Sequence, residues 1–197
     1  MEYIIENSLL GEYNIIAGTD EAGRGPLAGP VYAAAVILPL GLEIEGLNDS
    51  KKLSPKKREK LFDEICEKAL AYAIASKDVE TIEKTDILSA SQSAMVEAVN
   101  ALKIKPDAVL VDGNIARGFD IPARTVIGGD AISPNIAAAS ILAKVARDRY
   151  LDELDEKYPM YGFKKHKGYG TKQHRDALLE YGPCPEHRMS FLTKILK

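Results

Sequence analysis

Residues 31–38 read VYAAAVIL, a stretch that contains no charged residue. Side chains alternate between the two faces of a strand, so a strand formed here would be apolar on both faces. Such a strand is stable when other elements cover it on both sides. Further apolar runs alternate with helical patterns along the chain, and this alternation predicts an α/β fold.

Five segments are predicted to be strands. They are residues 13–19, 31–38, 72–76, 107–113 and 123–127. The link between the first two is short, which favours an antiparallel pair, because parallel neighbours require a longer crossover connection.

A serine followed by a proline marks the start of a helix at residues 54–55. The serine hydroxyl can cap the first turn, and the fixed φ of proline suits the first helical position. The helical spacing that follows predicts that Leu61, Ile65 and Leu70 face the core.

The same Ser-Pro start at residues 133–134 opens the longest predicted helix, which Pro159 stops. Its alanine-rich first half has little side-chain bulk and can approach the sheet closely. Residues 80–103 are predicted to be helical with a break near residues 85–86, and loops and short helices follow Pro159. We expect one domain over residues 1–197, with a core at about 13–158 and a basic C-terminal extension at about 159–197.

The chain carries no sign of a membrane segment or a secretory signal. Its longest apolar stretch, residues 31–42, is about half of the roughly 20 residues that a membrane helix needs, and Pro39 interrupts it. Residues 1–10 contain two acids and no base. Cys66 and Cys184 are far apart and fit no metal-binding spacing, so we expect two free thiols and a cytoplasmic location.

Charge is distributed unevenly although the formal net charge is only −3. Acids predominate before Lys144 and bases after it, and residues 162–175 hold five Lys or Arg residues and no acid. A second basic run covers residues 50–60. An acidic centre flanked by basic stretches suits a metal-dependent enzyme that acts on a polyanion, although charge runs alone usually mark only solvated faces.

Acidic residues stand where predicted strands give way to glycine. Asp20 and Glu21 end the first strand, Asp112 ends the fourth, and Asp130 lies between the fifth strand and the long helix. Carboxylates in a low-dielectric place repel one another unless a positive charge accompanies them. Hard oxygen ligands favour Mg²⁺ or Mn²⁺ over Zn²⁺, so the pattern indicates a divalent-metal site if these side chains meet in space.

Two considerations leave that hypothesis open at the level of single residues. An Asp after a strand is most often a turn or cap residue. Asp20 and Glu21 would also point to opposite faces of a regular strand, so both could reach one ion only if the strand ended or bulged there. The backbone carbonyl of Glu21 is an alternative ligand.

Several motifs together resemble bacterial ribonuclease HII, a family that cuts RNA joined to or paired with DNA. In chain order they are TDEAGRGPLAGPV, NDSKKLS, VDGN, GD followed by AAASILAKVARDR, and HKGYGT before HR-SF. They extend from about Ile16 to Phe191. The resemblance implies a ribonuclease H-like fold: a mixed five-stranded sheet with helices on both faces and a helical C-terminal extension.

The resemblance also implies the residues of the site. The metal ligands, which would hold two Mg²⁺ or Mn²⁺ ions during catalysis, are Asp20, Glu21, Asp112 and Asp130. The backbone of Gly23, Arg24 and Gly25 would read the ribose 2′-hydroxyl, which both donates and accepts hydrogen bonds, and Tyr169 would stack on the next sugar. Other expected substrate contacts are Ser50, Lys51, Lys52, Lys144, Arg147, His166 and Lys167, with Lys144 and Arg147 one helical turn apart.

The expected function is hydrolysis of RNA in RNA/DNA hybrids and cleavage 5′ of single ribonucleotides in duplex DNA, giving 5′-phosphate and 3′-hydroxyl ends. The expected partners are these nucleic acids and no membrane, and the chain is expected to be a monomer. One alternative is another ribonuclease H-like nuclease or strand-transfer enzyme that acts on DNA. A second is a non-catalytic nucleic-acid-binding module whose acids are turn residues. For the three histidines, a structural or solvated role is the simpler interpretation, although His166 is also a candidate substrate contact.

Overall fold

The computed structural model describes residues 1–48, 50 and 53–196. The strands are β1 (Ile16–Ala22), β2 (Val31–Ile37), β3 (Ala71–Lys77), β4 (Ala108–Asp112) and β5 (Ala123–Val126). The helices are α1 (Ile4–Leu9), α2 (Pro55–Lys68), α3 (Val79–Lys84), α4 (Ile87–Asn100), α5 (Pro134–Lys157), α6 (Phe163–His166), α7 (Lys172–Tyr181) and α8 (Met189–Leu192). A short 3-10 helix, Gly129–Ala131, precedes α5.

The five strands form one mixed sheet in the order β3-β2-β1-β4-β5. β1 pairs with β2 and β2 with β3 in antiparallel fashion, whereas β4 runs parallel to β1 and β5 parallel to β4. The predicted α/β class, the antiparallel first pair and the mixed five-stranded sheet are therefore confirmed.

Strand β2 is buried on both faces, as its apolar sequence predicts. Ala34 and Val36 pack in a core cluster with residues of α2 and α5. Ala33 and Ala35, which point to the other face, pack in a second cluster with residues of α4. The period-two alternation of a strand thus divides one apolar run between two cores.

The first turn of α5 lies directly on β1. A Cβ built on Gly18 would be 2.4 Å from backbone atoms of Asn135 and Ile136, so only glycine allows this approach. The Asn135 side chain accepts a hydrogen bond from Leu38 N and donates one to Ile16 O, which ties the helix to both strands. Ser133 caps the helix, as predicted, by accepting from Ile136 N.

Two local predictions are wrong. Leu61 and Ile65 are buried, but Leu70 is 54% exposed, because α2 ends at Lys68 and the chain turns into an extended conformation at Ala69. The first strand begins and ends later than predicted, so Asp20 and Glu21 lie within β1 and pair with residues of β2.

The segments after Pro159 pack against the second half of α5. Tyr161, Phe163 and Ala177 form a buried cluster with Leu151 and Leu154 of that helix. This packing brings the C-terminal helices beside the β1–β2 connection. Across the described ranges, no helix is both long and apolar enough to cross a membrane.

Candidate active site

Three of the predicted acidic ligands line one pocket of about 220 Å³. They are Asp20, Glu21 and Asp112. The same pocket is lined by Ala22, Gly23, Arg24, Gly25, Ser50, Ser140, Lys144 and Tyr169. Residues from β1, β4, α5 and the C-terminal segments therefore meet at one end of the sheet.

The sheet register explains why Asp20 and Asp112 meet. Thr19 of β1 is paired with Val111 of the parallel strand β4, so the next residue on each strand is an aspartate. Equivalent positions on neighbouring parallel strands point to the same face, less than about 6 Å apart. Two acids placed side by side in this way are costly without a compensating charge.

The pKa values of Asp20 and Glu21 are both raised. Burial raises the pKa of Asp20 well above its ordinary value, and the negative charges of Glu21 and Asp112 raise it further. A hydrogen bond from the Ser140 hydroxyl acts in the opposite direction. Burial also raises the pKa of Glu21, although Arg24, 3.2 Å away, partly offsets it. Oxygen donors that repel one another in a buried pocket suit a divalent cation.

Asp130 is close to this group in the chain but is not among the residues that line the pocket. It is buried on the 3-10 helix, and the preceding residue, Gly129, donates its N–H to Asp112 Oδ1 at 2.7 Å. Within the part of the chain that the structure describes, no three acidic, histidine or cysteine side chains are arranged as a ready metal site. The structure thus brings three predicted ligands into one pocket and leaves the fourth beside it.

The Gly-Arg-Gly turn adjoins the acids. Gly23 has φ +103°, and a Cβ there would lie 2.1 Å from Nε of Arg147. A Cβ on Gly25 would meet Cε1 of Tyr169 at 3.7 Å, so the tyrosine ring lies against the turn. The ring is 46% exposed, although it is large and apolar. The turn and an open aromatic surface therefore share the pocket wall.

Lys144 and Lys167, two of the predicted substrate contacts, are already paired with acids. Lys144 lines the pocket and donates to Asp148 at 2.6 Å, and burial lowers the pKa of its ammonium group. Lys167 forms an ion pair with Asp152 and donates to the carbonyl of Asp148. Both ammonium groups are thereby held by carboxylates of α5.

The remaining predicted contacts divide into three cases. Ser50 is buried, and its hydroxyl lies 2.9 Å from that of Ser140, which links it to Asp20. The predicted contacts Lys51 and Lys52 lie outside the described residues. Arg147 and His166 are buried.

Arg147 is not among the described residues that line the pocket. It is fully buried, and its three nitrogens donate to the carbonyls of Ala28, Pro30 and Lys167, each at 3.0 Å. The prediction placed it beside Lys144 because the two are one turn apart. In the structure, the side chain of Arg147 extends under the β1–β2 connection.

His166 is likewise internal. It is 8% exposed, stacks on His174 with ring centroids 4.4 Å apart, and hydrogen-bonds the carbonyl of Tyr161. His174 and His187 are also buried, with their Nε2 atoms 3.0 Å apart. The structural interpretation of the histidines agrees with this packing, and the predicted direct contact of His166 with substrate does not.

Sequence reasoning missed Ser140 and Arg188. Ser140 is a polar residue within the alanine-rich start of α5, and that exception was a usable signal. Arg188 stands in the HR-SF motif, but nothing in the local pattern shows that its side chain crosses to residues more than 150 positions away. Such a contact depends on the tertiary fold.

The mixed sheet with paired acids on two adjacent strands defines an α/β protein of the ribonuclease H-like class. Comparison with solved structures agrees: the ribonuclease H2 of Pyrococcus horikoshii matches with TM-score 0.75 and 28% identity over 92% of this chain and 97% of its own. The ribonuclease HII of Archaeoglobus fulgidus, solved in a complex with PCNA, matches with TM-score 0.75 and 28% identity over 89% of this chain and 94% of its own.

The family follows from the sequence comparisons. The model of the family "Ribonuclease HII" matches residues 17–194. A ribonuclease HII of Caldicellulosiruptor bescii is 55% identical over 98% of this chain and 94% of its own length, and one of Idiomarina loihiensis is 60% identical over 90% and 95%. The chain belongs to the ribonuclease HII family, which consists of metal-dependent endoribonucleases, and the resemblance seen in its motifs is confirmed.

Proposed function

We propose that this protein hydrolyses the RNA strand of RNA/DNA hybrids and cuts on the 5′ side of single ribonucleotides in duplex DNA. The observation that carries the proposal is the pocket where three acids, the Gly-Arg-Gly turn and Tyr169 meet. Membership of the ribonuclease HII family supports the same activity. The proposed products have 5′-phosphate and 3′-hydroxyl ends.

The proposed metal ligands are Asp20, Glu21, Asp112 and Asp130. The first three offer hard oxygen donors in a pocket where their mutual repulsion is only partly neutralised. Asp130 is included because its 3-10 helix is joined to Asp112 through the Gly129 amide. Two Mg²⁺ or Mn²⁺ ions held by these residues would supply a water of lowered pKa and would neutralise charge on the leaving oxygen.

The chain itself is proposed to select the substrate. The backbone of residues 23–25 would bind the 2′-hydroxyl, the group that distinguishes ribose from deoxyribose. The exposed ring of Tyr169, next to Gly25, would stack on the sugar that follows. Lys144 and Lys167 would exchange their pairing with acids of α5 for contacts with phosphates.

Incubation with a labelled DNA duplex that contains one ribonucleotide tests this proposal. We expect cleavage 5′ of the ribonucleotide in Mg²⁺ or Mn²⁺ and none in chelator, with a 3′-hydroxyl at the new end. Cleavage of an all-DNA duplex at a similar rate would instead indicate a DNA nuclease or strand-transfer enzyme. A cyclic phosphate product would contradict the metal-dependent scheme.

A pair of variants connects the activity to the pocket. Asp112→Asn is expected to reduce turnover by at least about a hundredfold, because it removes a charged ligand. Asp107→Asn is a matched control at the opposite end of β4, where the carboxylate accepts from the amides of Asn14 and Ile15. The control is expected to retain turnover. Equal turnover in both variants would exclude Asp112 from the site.

A further inference from the structure

The side chain of Arg188 is buried beneath the Gly-Arg-Gly turn. Its five N–H groups donate five hydrogen bonds to only four carbonyl oxygens, all of them in the β1–β2 connection. The acceptors are Gly23, Arg24, Pro26 and Gly29, at 2.7–3.0 Å. A guanidinium group has five N–H donors, so every one of them is used on this single loop.

Further contacts fix Arg188 in this position. The guanidinium carbon lies over the aromatic ring of Phe191, 5.3 Å from the ring centroid. The backbone N–H of Arg188 donates to Leu27 O at 2.8 Å, and Ala28 forms an antiparallel bridge with His187. The C-terminal segment is therefore joined to the connection by an isolated antiparallel bridge and its flanking hydrogen bonds.

In the described part of the chain, carbonyl groups, and no directly ion-paired carboxylate, surround the guanidinium group of Arg188. Among the residues that the structure describes, no acid lies within ion-pair distance of Arg188 or of Arg147, which binds the far side of the same connection. Burial lowers the pKa of Arg188 to about 9, and the positive charge of Arg147 adds to the effect. Arg188 therefore remains charged at neutral pH, and charged donors form stronger hydrogen bonds than neutral ones.

The direction of these bonds fixes the direction of the amides on the other side of the turn. In a trans peptide, the C=O of one residue and the N–H of the next point in opposite directions. The Gly23 and Arg24 carbonyls point to the buried guanidinium, so the N–H groups of Arg24 and Gly25 point away from it. Because residues 23–25 line the pocket, the amides that point away from the guanidinium group can face this pocket.

We propose that Arg188 is a positioning residue for ribose recognition: it holds the Gly23–Gly25 turn in the one conformation in which its amides can bind a 2′-hydroxyl. The proposal rests on the function proposed above for this turn. Arg188 does not touch the substrate. Its contribution is that the amides are oriented before the substrate arrives, so binding does not have to pay for ordering the loop.

The test is ribose discrimination in binding, measured in chelator so that no cleavage occurs. The dissociation constant is measured for a DNA duplex with one ribonucleotide and for the same duplex made only of DNA. In Arg188→Lys the charge is kept, but an ammonium group has three donors and cannot span four carbonyls. We expect the dissociation constant for the all-DNA duplex, divided by that for the ribonucleotide duplex, to fall by roughly three- to tenfold. This change is equivalent to about one aligned hydrogen bond.

Two further variants separate positioning from general stability. Arg188→Gln removes the buried charge, keeps some reach to the carbonyls and is expected to lose discrimination to the same degree. Met95→Ala creates a cavity in the core cluster beneath α4, which within the described residues contains no part of the turn. It is expected to lower the unfolding midpoint and to keep the wild-type ratio, because discrimination does not depend on that core.

Each result is decisive. Discrimination retained in folded Arg188→Lys and Arg188→Gln overturns the role of Arg188 while leaving the proposed function intact. Wild-type protein that binds both duplexes equally would overturn the recognition role of the turn itself. If both variants unfold under conditions where Met95→Ala is folded, Arg188 is a structural residue and the positioning role is withdrawn.

Discussion

Gly23→Ala is expected to lower the free energy of unfolding by about 2–6 kcal/mol, through two effects at one residue. Gly23 has φ +103°, a conformation that L-residues rarely adopt, and alanine would be strained there by about 1–3 kcal/mol. The new Cβ would also lie 2.1 Å from Nε and 2.5 Å from Cδ of Arg147, and relieving this overlap costs about 1–3 kcal/mol more.

The second effect depends on how firmly Arg147 is held. Its guanidinium group donates to Ala28 O, Pro30 O and Lys167 O, so it cannot move aside without weakening at least one of these bonds. The overlapping atoms are in the middle of the side chain, where a rotation of the terminal group does not help. The clash is therefore expected to be transmitted to the turn.

Urea unfolding of Gly23→Ala and Gly41→Ala separates the two effects. Gly41 has φ +80°, but a Cβ there would have no heavy atom within 4 Å, so this variant carries the conformational strain alone. The loss of unfolded-state entropy on replacing glycine is the same in both variants. We expect Gly23→Ala to lose about 1–3 kcal/mol more than Gly41→Ala, at equal m-values. Equal losses would refute the reasoning that Arg147 is fixed beneath the turn.

Three further predictions concern charge and recognition. Asp112→Asn in chelator is expected to unfold at higher urea than wild type, by roughly 0.5–2 kcal/mol, because it removes one of the repelling acids of the pocket; a lower midpoint would contradict this. Tyr169→Ala is expected to slow cleavage at a single ribonucleotide by roughly tenfold or more in a folded protein, since it removes the stacking surface; unfolding instead would assign Tyr169 to the core. Burial lowers the pKa of both His174 and His187 to about 4, so the unfolded chain binds more protons between pH 6.5 and 4. These two histidines together should destabilise the fold by on the order of 4 kcal/mol at pH 5 relative to neutral pH in urea titrations, and this loss should be smaller in His187→Asn.

Much of the fold could be predicted because its signals are local. The two-faced apolar run of β2, the Ser-Pro helix starts and the alanine-rich half of α5 each report on a few neighbouring residues. The end of α2 could not be predicted as well, since Leu70 continues the helical spacing but the chain has already left the helix at Ala69. The start of β1 was displaced for a similar reason: Tyr13 and Ile15 continue the apolar pattern, but they lie before the first residue of β1.

The part of the candidate site that lies in sequence motifs could be predicted. The positions of side chains that depend on tertiary contacts could not. Asp20 and Asp112 meet because the register of β1 and β4 aligns their ends, and Glu21 lines the same pocket. Arg147, in contrast, has the spacing of a surface contact, and only the position of the β1–β2 connection shows that it is buried. The five bonds of Arg188 could not be inferred either, because sequence spacing contains no information on contacts between the N- and C-terminal parts of the chain.

Calorimetric titration of Mn²⁺ into the wild-type protein and into Asp20→Asn, Glu21→Gln, Asp112→Asn and Asp130→Asn tests the metal site most directly. We expect wild type to bind Mn²⁺ and each variant to bind at least about tenfold more weakly, with Asp107→Asn unchanged. Affinity that is the same in all of these proteins, or no binding by wild type, would contradict the assignment of the four acids as metal ligands.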